Sequence, residues 1–139
     1  MKLTEIEGEL PRVELIHGEL THRIIGVFYE VFRELGTGHL EKVYQRAMQI
    51  ALNDVGISSQ LEVPTTVYFR ERSVGGYRSD LIVERRVILE CKTADRIVDG
   101  HRAQLINYLK SNRYKVGLIL NFGRQPTFER VVFESLRSH

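Results

Sequence analysis

The spacing of apolar residues in this chain changes near Gln60, and that change rules out most folds. Before it, Ile24, Phe28, Val31 and Leu35 recur at helical intervals and Gly36 follows as a stop, so an amphipathic helix is expected. A second helical pattern runs from Leu40 through Val43, Tyr44, Ala47 and Ala51 to Gly56, joined to the first by the short ELGTGHLE. After it, β-branched and aromatic residues take over in LEVPTTVYF, YRSDLIVE and RVILECKT, separated by Gly75-Gly76 and by Arg85-Arg86. These predict three antiparallel strands, although the Arg-Arg turn lacks the usual Asn or Gly. A third helix over about Gly100 to Ser111 precedes a buried strand in YKVGLILNF and a last strand in FERVVF. Helix, helix, three strands, helix, two strands is the order of an α/β or α+β domain whose central sheet is covered by helices. With residues 1–17 read as a polar leader and no dividing linker, the 139 residues are expected to form one domain.

Composition agrees. A chain 42% hydrophobic and 27% charged is long enough to build one core without disulfide or structural metal. The lone Cys91 excludes an internal disulfide, and MKLTEIEGEL is too acidic and polar for a secretory signal, so a cytosolic protein is expected. The longest apolar run near the C-terminus, VGLIL, is far below the roughly 20 residues of a membrane-spanning helix. Net charge is only +2, but residues 1–62 hold six basic against ten acidic side chains while residues 63–139 hold fourteen against eight. The second half is the one suited to a polyanion.

That half contains an anomaly. In VILECKTAD, strand alternation places Ile88, Glu90 and Lys92 on one face and Val87, Leu89 and Cys91 on the other. Cys91 is then a packed core thiol, with no histidine or second cysteine at metal-ligand spacing. Charges laid against a core must pair, reach water or bind an ion. Glu90 and Lys92 pairing with each other is the plain structural solution. In YRSDLIV, however, Asp80 shares a face with Ile82, and a hairpin would bring Asp80 beside Glu90. Two adjacent carboxylates repel unless a cation lies between them. Magnesium suits such oxygens and keeps coordination positions open for a phosphate oxygen and a water. Lys92 beside it would orient the water or stabilise charge developing on phosphorus. The combination describes phosphodiester hydrolysis.

Asp80, Glu90 and Lys92 in this spacing resemble the motif of the PD-(D/E)XK nuclease superfamily, the restriction-endonuclease-like fold. Further segments resemble one branch, the bacterial GxxExxY proteins: GHLEKVY, with Gly38, Glu41 and Tyr44, then GYRSDLIVERRVILECKTAD, HRAQLINYLK and VGLILNFG. The likeness runs from about Leu20 to Val132. It implies a central mixed sheet flanked by helices. It makes Asp80 and Glu90 metal ligands, the main-chain carbonyl of Cys91 a further ligand, Lys92 the catalytic lysine, and Glu41 a fourth site residue. A carboxylate in the first turn of a helix is also favoured by capping and by the dipole, which is the competing account of Glu41. Gln104 and Tyr108, four apart on the third helix, match a Q-x-x-x-Y motif that supports the site or contacts nucleic acid. The competing account is a Tyr packed on the sheet beside an exposed Gln. His101 fits the pattern without an assigned chemistry, and Gly38 and Gly76 read as backbone positions for a tight turn. Two features depart from the pattern: Ser79 stands before Asp80 in place of proline, and VYFRERSVGG lacks a Lys-Gly turn.

The resemblance therefore implies a nuclease dependent on Mg²⁺, with Mn²⁺ as substitute, cutting nucleic acid, DNA foremost, with low sequence specificity. Phosphate contacts are expected from Arg70, Arg72, Arg78, Lys110, Arg113 and Lys115. A nuclease-fold module without turnover, binding nucleic acid or a protein, is the alternative, and a hydrolase of another phosphorylated compound the third. Small domains of this kind often form homodimers to cut both strands, though no interface is legible in the sequence.

Overall fold

The structure, a computed structural model, describes residues 15–134. The polar leader expected over residues 1–17 lies, up to residue 14, outside them. Three helices, α1 (Gly18–Leu35), α2 (Glu41–Asp54) and α3 (Asp99–Asn112), and five strands, β1 (Ser59–Phe69), β2 (Arg72–Val83), β3 (Val87–Lys92), β4 (Val116–Phe122) and β5 (Pro126–Val132), follow the expected order. None of the described helices is long and apolar enough to cross a membrane.

The strands form one sheet in the order β1-β2-β3-β4-β5. All neighbours are antiparallel except β3 and β4, which run parallel because α3 carries the chain back between them. Alternation decides what each face meets. Leu81, Val83, Val87, Leu89 and Cys91 face Ile24, Phe28 and Val31 of α1 and Tyr44, Met48 and Leu52 of α2. Ile82, Ile88 and Ile119 face Leu105, Tyr108 and Leu109 of α3. Strand β4 is buried from end to end, as its apolar run requires of a central strand covered on both faces. The result is an α+β core with a mixed sheet between helices, the arrangement that the resemblance implies.

One turn falls elsewhere than expected, and a second is centred one residue earlier. Gly75-Gly76 does not separate β1 from β2. The turn is Arg70-Glu71, with φ of 50° and 65°, and Phe69 opposite Arg72. Two consecutive left-handed residues give the turn whose twist matches an antiparallel hairpin, and here non-glycine residues adopt it. Gly76 lies within β2, where a Cβ would come within 2.7 Å of the Thr65 carbonyl oxygen, so it serves a close backbone approach rather than a turn. Likewise the β2–β3 turn centres on Glu84 and Arg85, with φ of 54° and 55°, and is closed by Arg86 N donating to Val83 O at 2.9 Å. The Glu84 carboxylate accepts from Ser58 N at 2.9 Å, which secures that turn to the start of β1.

Candidate active site

Strands β2 and β3 pair only at Leu81–Leu89, Ile82–Ile88 and Val83–Val87. One residue further on, side chains take over the hydrogen bonding. Cys91 N donates to Asp80 Oδ2 at 2.7 Å, and Asp80 N donates to Glu90 Oε2 at 3.3 Å. Each carboxylate is thus held by the main chain at the other's position. Because Asp80 alternates with Leu81 and Glu90 with Leu89, both project to the face that carries α3.

Glu90 is only 3% exposed, and Asp80 is half-buried. Burial pushes the Glu90 carboxyl up to about 8, and the neighbouring Asp80 charge adds to the rise. Asp80 is raised as well, first by burial, against the opposing pull of the Cys91 amide and the Lys92 charge. Among the described ion pairs, neither carboxylate has a basic partner within bridging distance. Lys92 Nζ, half-buried nearby, donates instead to Gln104 Oε1 at 3.1 Å. The sheet end therefore carries two adjacent acids with no basic partner among the described ion pairs, and an ammonium held beside them by a neutral side chain.

Glu41 opens α2, and its charge raises both Asp80 and Glu90. It thus faces the pair from a different element. The neighbouring residues explain how it is held. Tyr44 is fully buried, stacks on Phe122 with ring centroids 4.2 Å apart, and donates from its hydroxyl to Gly36 O at 2.6 Å. The same hydroxyl accepts from His39 N at 3.2 Å. Tyr44 thereby ties the α1–α2 connection, which passes through Gly38 at φ 106°, where a side chain would be strained, to the helix that starts at Glu41.

Tyr108 is 6% exposed and stacks on Tyr77, centroids 4.1 Å apart. Its phenol is raised to about 12, first by burial and then by the Glu90 and Asp80 charges. Both competing accounts of Gln104 and Tyr108 describe part of what is found: Tyr108 packs on the sheet, while Gln104 is exposed and holds Lys92. His101 Nδ1 accepts from Val98 N at 3.2 Å and so caps the start of α3. The Cys91 thiol is fully buried on the opposite face, and burial pushes its pKa well up, as expected for packing.

The basic residues expected to meet phosphate fall into separate groups. Arg70, Arg72 and Arg78 lie on the β1–β2 hairpin. Lys110 sits over the Phe133 ring, Phe133 N donates to Lys115 O, and Lys115 adjoins Val116, which pairs with Val87 at the start of β3. Lys110 and Lys115 are therefore away from the carboxylates, and Arg113 occupies the left-handed cap of α3. A hollow of about 850 Å³, lined by His17, Glu19, Arg23, Glu84 and Arg86 among others, also lies at that far end and contains none of the paired acids.

Sequence reasoning missed three residues. Glu62 occupies the position of β1 opposite Asp80, at φ 51°, and its charge raises Asp80 further. Nothing in the sequence marked it. Asn121 is fully buried and clamps the Ala94 backbone twice: Ala94 N donates to Oδ1 and Nδ2 donates to Ala94 O, both at 2.9 Å. A polar residue inside VGLILNF was the available signal. Arg102 forms a two-pronged pair with Glu129 at 2.6 Å, joining α3 to β5.

The donor set suits a hard cation. Among the described residues no three His, Cys, Asp or Glu side chains gather closely enough to enclose an ion. Two adjacent carboxylates are oxygen donors of the kind a hard divalent cation takes, with water and substrate able to fill its other positions.

No curated protein matches this chain. A solved structure described as the crystal structure of SSO0001 superposes with a TM-score of 0.48 at 13% identity, covering 85% of this chain and 80% of that one. The family model that matches does so over residues 18–131, from the first turn of α1 almost to the end of β5, and is described as the PD-(D/E)XK nuclease superfamily. This chain belongs to the PD-(D/E)XK nuclease superfamily.

Proposed function

We propose that the protein is a divalent-metal-dependent nuclease that hydrolyses phosphodiester bonds, with DNA as the favoured substrate and little sequence specificity. The observation that carries this is the buried Asp80–Glu90 pair, which has no basic partner among the described ion pairs and has Lys92 alongside. Asp80 and Glu90 would hold the ion, Mg²⁺ or Mn²⁺, aided by the Cys91 carbonyl and by Glu41. When bound, the ion supplies Lewis-acid stabilisation of charge on phosphorus. The chain's own residues do the rest. Gln104 keeps the Lys92 ammonium in place, where it faces the negative charge that develops on the phosphate oxygens. Tyr108 and the α3 face exclude water from behind the carboxylates. Arg70, Arg72 and Arg78 supply phosphate contacts that steer the strand inward. Among the described residues no element reads as a base-specific helix, so recognition depends little on base identity.

Within the superfamily the same reading assigns the chain to the GxxExxY branch, supported by the positive φ of Gly38 and by the Tyr44 hydroxyl that ties Gly36 and His39 at the entry to α2. It also places the protein in the cytosol, where a lone buried cysteine is at home.

The test is purified protein incubated with single- and double-stranded DNA and RNA in the presence of Mg²⁺ or Mn²⁺, beside a Lys92→Ala control. Cleavage by wild type and none by the variant is expected. Equal cleavage by both would assign the activity to a contaminant.

A further inference from the structure

Before Leu81, where it joins β3, strand β2 is paired only with β1 and forms with it a two-stranded ribbon. Its root is fixed to α3: Thr65 Oγ1 donates to Asn112 Oδ1 at 2.8 Å, and Tyr77 stacks on Tyr108 and donates from its hydroxyl to Asn107 O at 3.2 Å. Beyond the root the ribbon is bare. Tyr68 is 67% exposed, Phe69 59% and Val74 61%, at the tip of a protein whose large apolar side chains are mostly buried.

Isolated exposed apolar residues need no explanation, but this tip has a chemistry of its own. Arg70 lies over the Phe69 ring, its guanidinium carbon 4.9 Å from the centroid. From Val63 to Arg78 the ribbon carries Arg70, Arg72 and Arg78 against Glu71 alone. A shallow hollow of about 350 Å³, lined by residues including Thr66, Ser73, Gly75, Tyr77 and Arg78, lies along the ribbon. Arg78 is two residues from Asp80, and the tip lies eight residues of strand from it, at most about 26 Å along the chain. Aromatic rings interleaved with arginine, continuous with a phosphodiester-cutting site, are the components of a single-strand platform: arginines track the backbone while rings stack on bases.

We infer that the β1–β2 ribbon is a docking arm for unpaired nucleic acid, with Tyr68 and Phe69 stacking on exposed bases and Arg70, Arg72 and Arg78 holding the adjoining phosphates. This rests on the nuclease reading and deepens it: the preferred substrate is single-stranded or carries an unpaired segment beside the cut. In a closed duplex the bases are already stacked on one another and offer the rings no face. Double-stranded nucleic acid therefore gains only the arginine contacts.

The test uses the full chain carrying Lys92→Ala, so that nothing is cut during the measurement. Binding of labelled oligothymidine and of a blunt duplex of equal length is followed by fluorescence anisotropy, alone and with Phe69→Ala, Tyr68→Ala or the conservative Phe69→Tyr. Tighter binding of the single strand is expected, weakened roughly tenfold by each ring removed and restored by Phe69→Tyr, with duplex binding little changed. A single strand containing 2-aminopurine should lose fluorescence on binding, and lose less with Phe69→Ala. Equal single-strand affinity with and without the rings overturns the inference while leaving the nuclease reading intact. Failure of wild type to cut or bind any nucleic acid overturns that reading first. Sedimentation of the same proteins decides the competing occupant: a dimer that Phe69→Ala dissociates, with nucleic-acid affinity unchanged, makes the tip a subunit contact instead.

Discussion

Asp80 and Glu90 are joined crosswise, each through the other's stretch of backbone: Cys91 N reaches Asp80 Oδ2 at 2.7 Å, and Asp80 N reaches Glu90 Oε2 at 3.3 Å. Carboxylates stand where ladder carbonyls would, so the pair is set by the sheet. Asp80→Asn keeps an acceptor for the Cys91 amide but removes a carboxylate charge that burial disfavours. It should abolish Mg²⁺-dependent cleavage and raise the Tm of the cation-free protein. Cleavage surviving in Asp80→Asn would remove Asp80 from the metal site.

Cation-free stability should depend on pH with a definite sign. Glu90 titrates near 8 in the fold against 4.5 as a free side chain. Between those values the folded protein retains a proton that the unfolded chain has lost, so stability falls as pH rises through the window. Melts in EDTA should show Tm declining across it, with a flatter profile for Glu90→Gln. Mg²⁺ binding near neutral pH should release protons, seen calorimetrically as a heat that varies with the buffer's ionisation enthalpy. A Tm that climbs across the window would contradict the burial argument.

Tyr44→Phe keeps the ring stacked on Phe122 but removes the hydroxyl that ties Gly36 to His39. A loss of about 1–2 kcal/mol of stability is expected. If Tyr44 acts through Glu41, it should also lower kcat, and by no further amount when added to Glu41→Gln. Independent, additive losses in the double variant would leave Tyr44 a packing residue only.

Gln104→Ala frees the Lys92 ammonium without removing it. Activity should drop about 10- to 100-fold, the usual effect of losing a residue that orients a functional group, and Gln104→Glu should shift the pH profile by placing a new charge at Lys92. An unchanged rate for Gln104→Ala would show that Lys92 is positioned without it.

Much of this was legible in the chain. Strand alternation put Glu90 and Lys92 on one face and Cys91 on the other, because burial on both sides leaves a strand no freedom to rotate, and a hairpin was needed to bring Asp80 beside Glu90. The turns were not legible, since Arg70-Glu71 and Glu84-Arg85 take left-handed conformations that local preference assigns to Gly or Asn. There, tertiary pairing of the strands overrides residue preference. Glu62 was invisible for the same reason: its place opposite Asp80 depends on a register that no local pattern encodes.

Asn121 holds Ala94 by both its amide and its carbonyl. Two residues past Lys92, where a strand would otherwise unravel, the backbone is bolted to the centre of the sheet. The lysine thus stands on a fixed footing, and under the proposed function little reordering would remain before the chemistry.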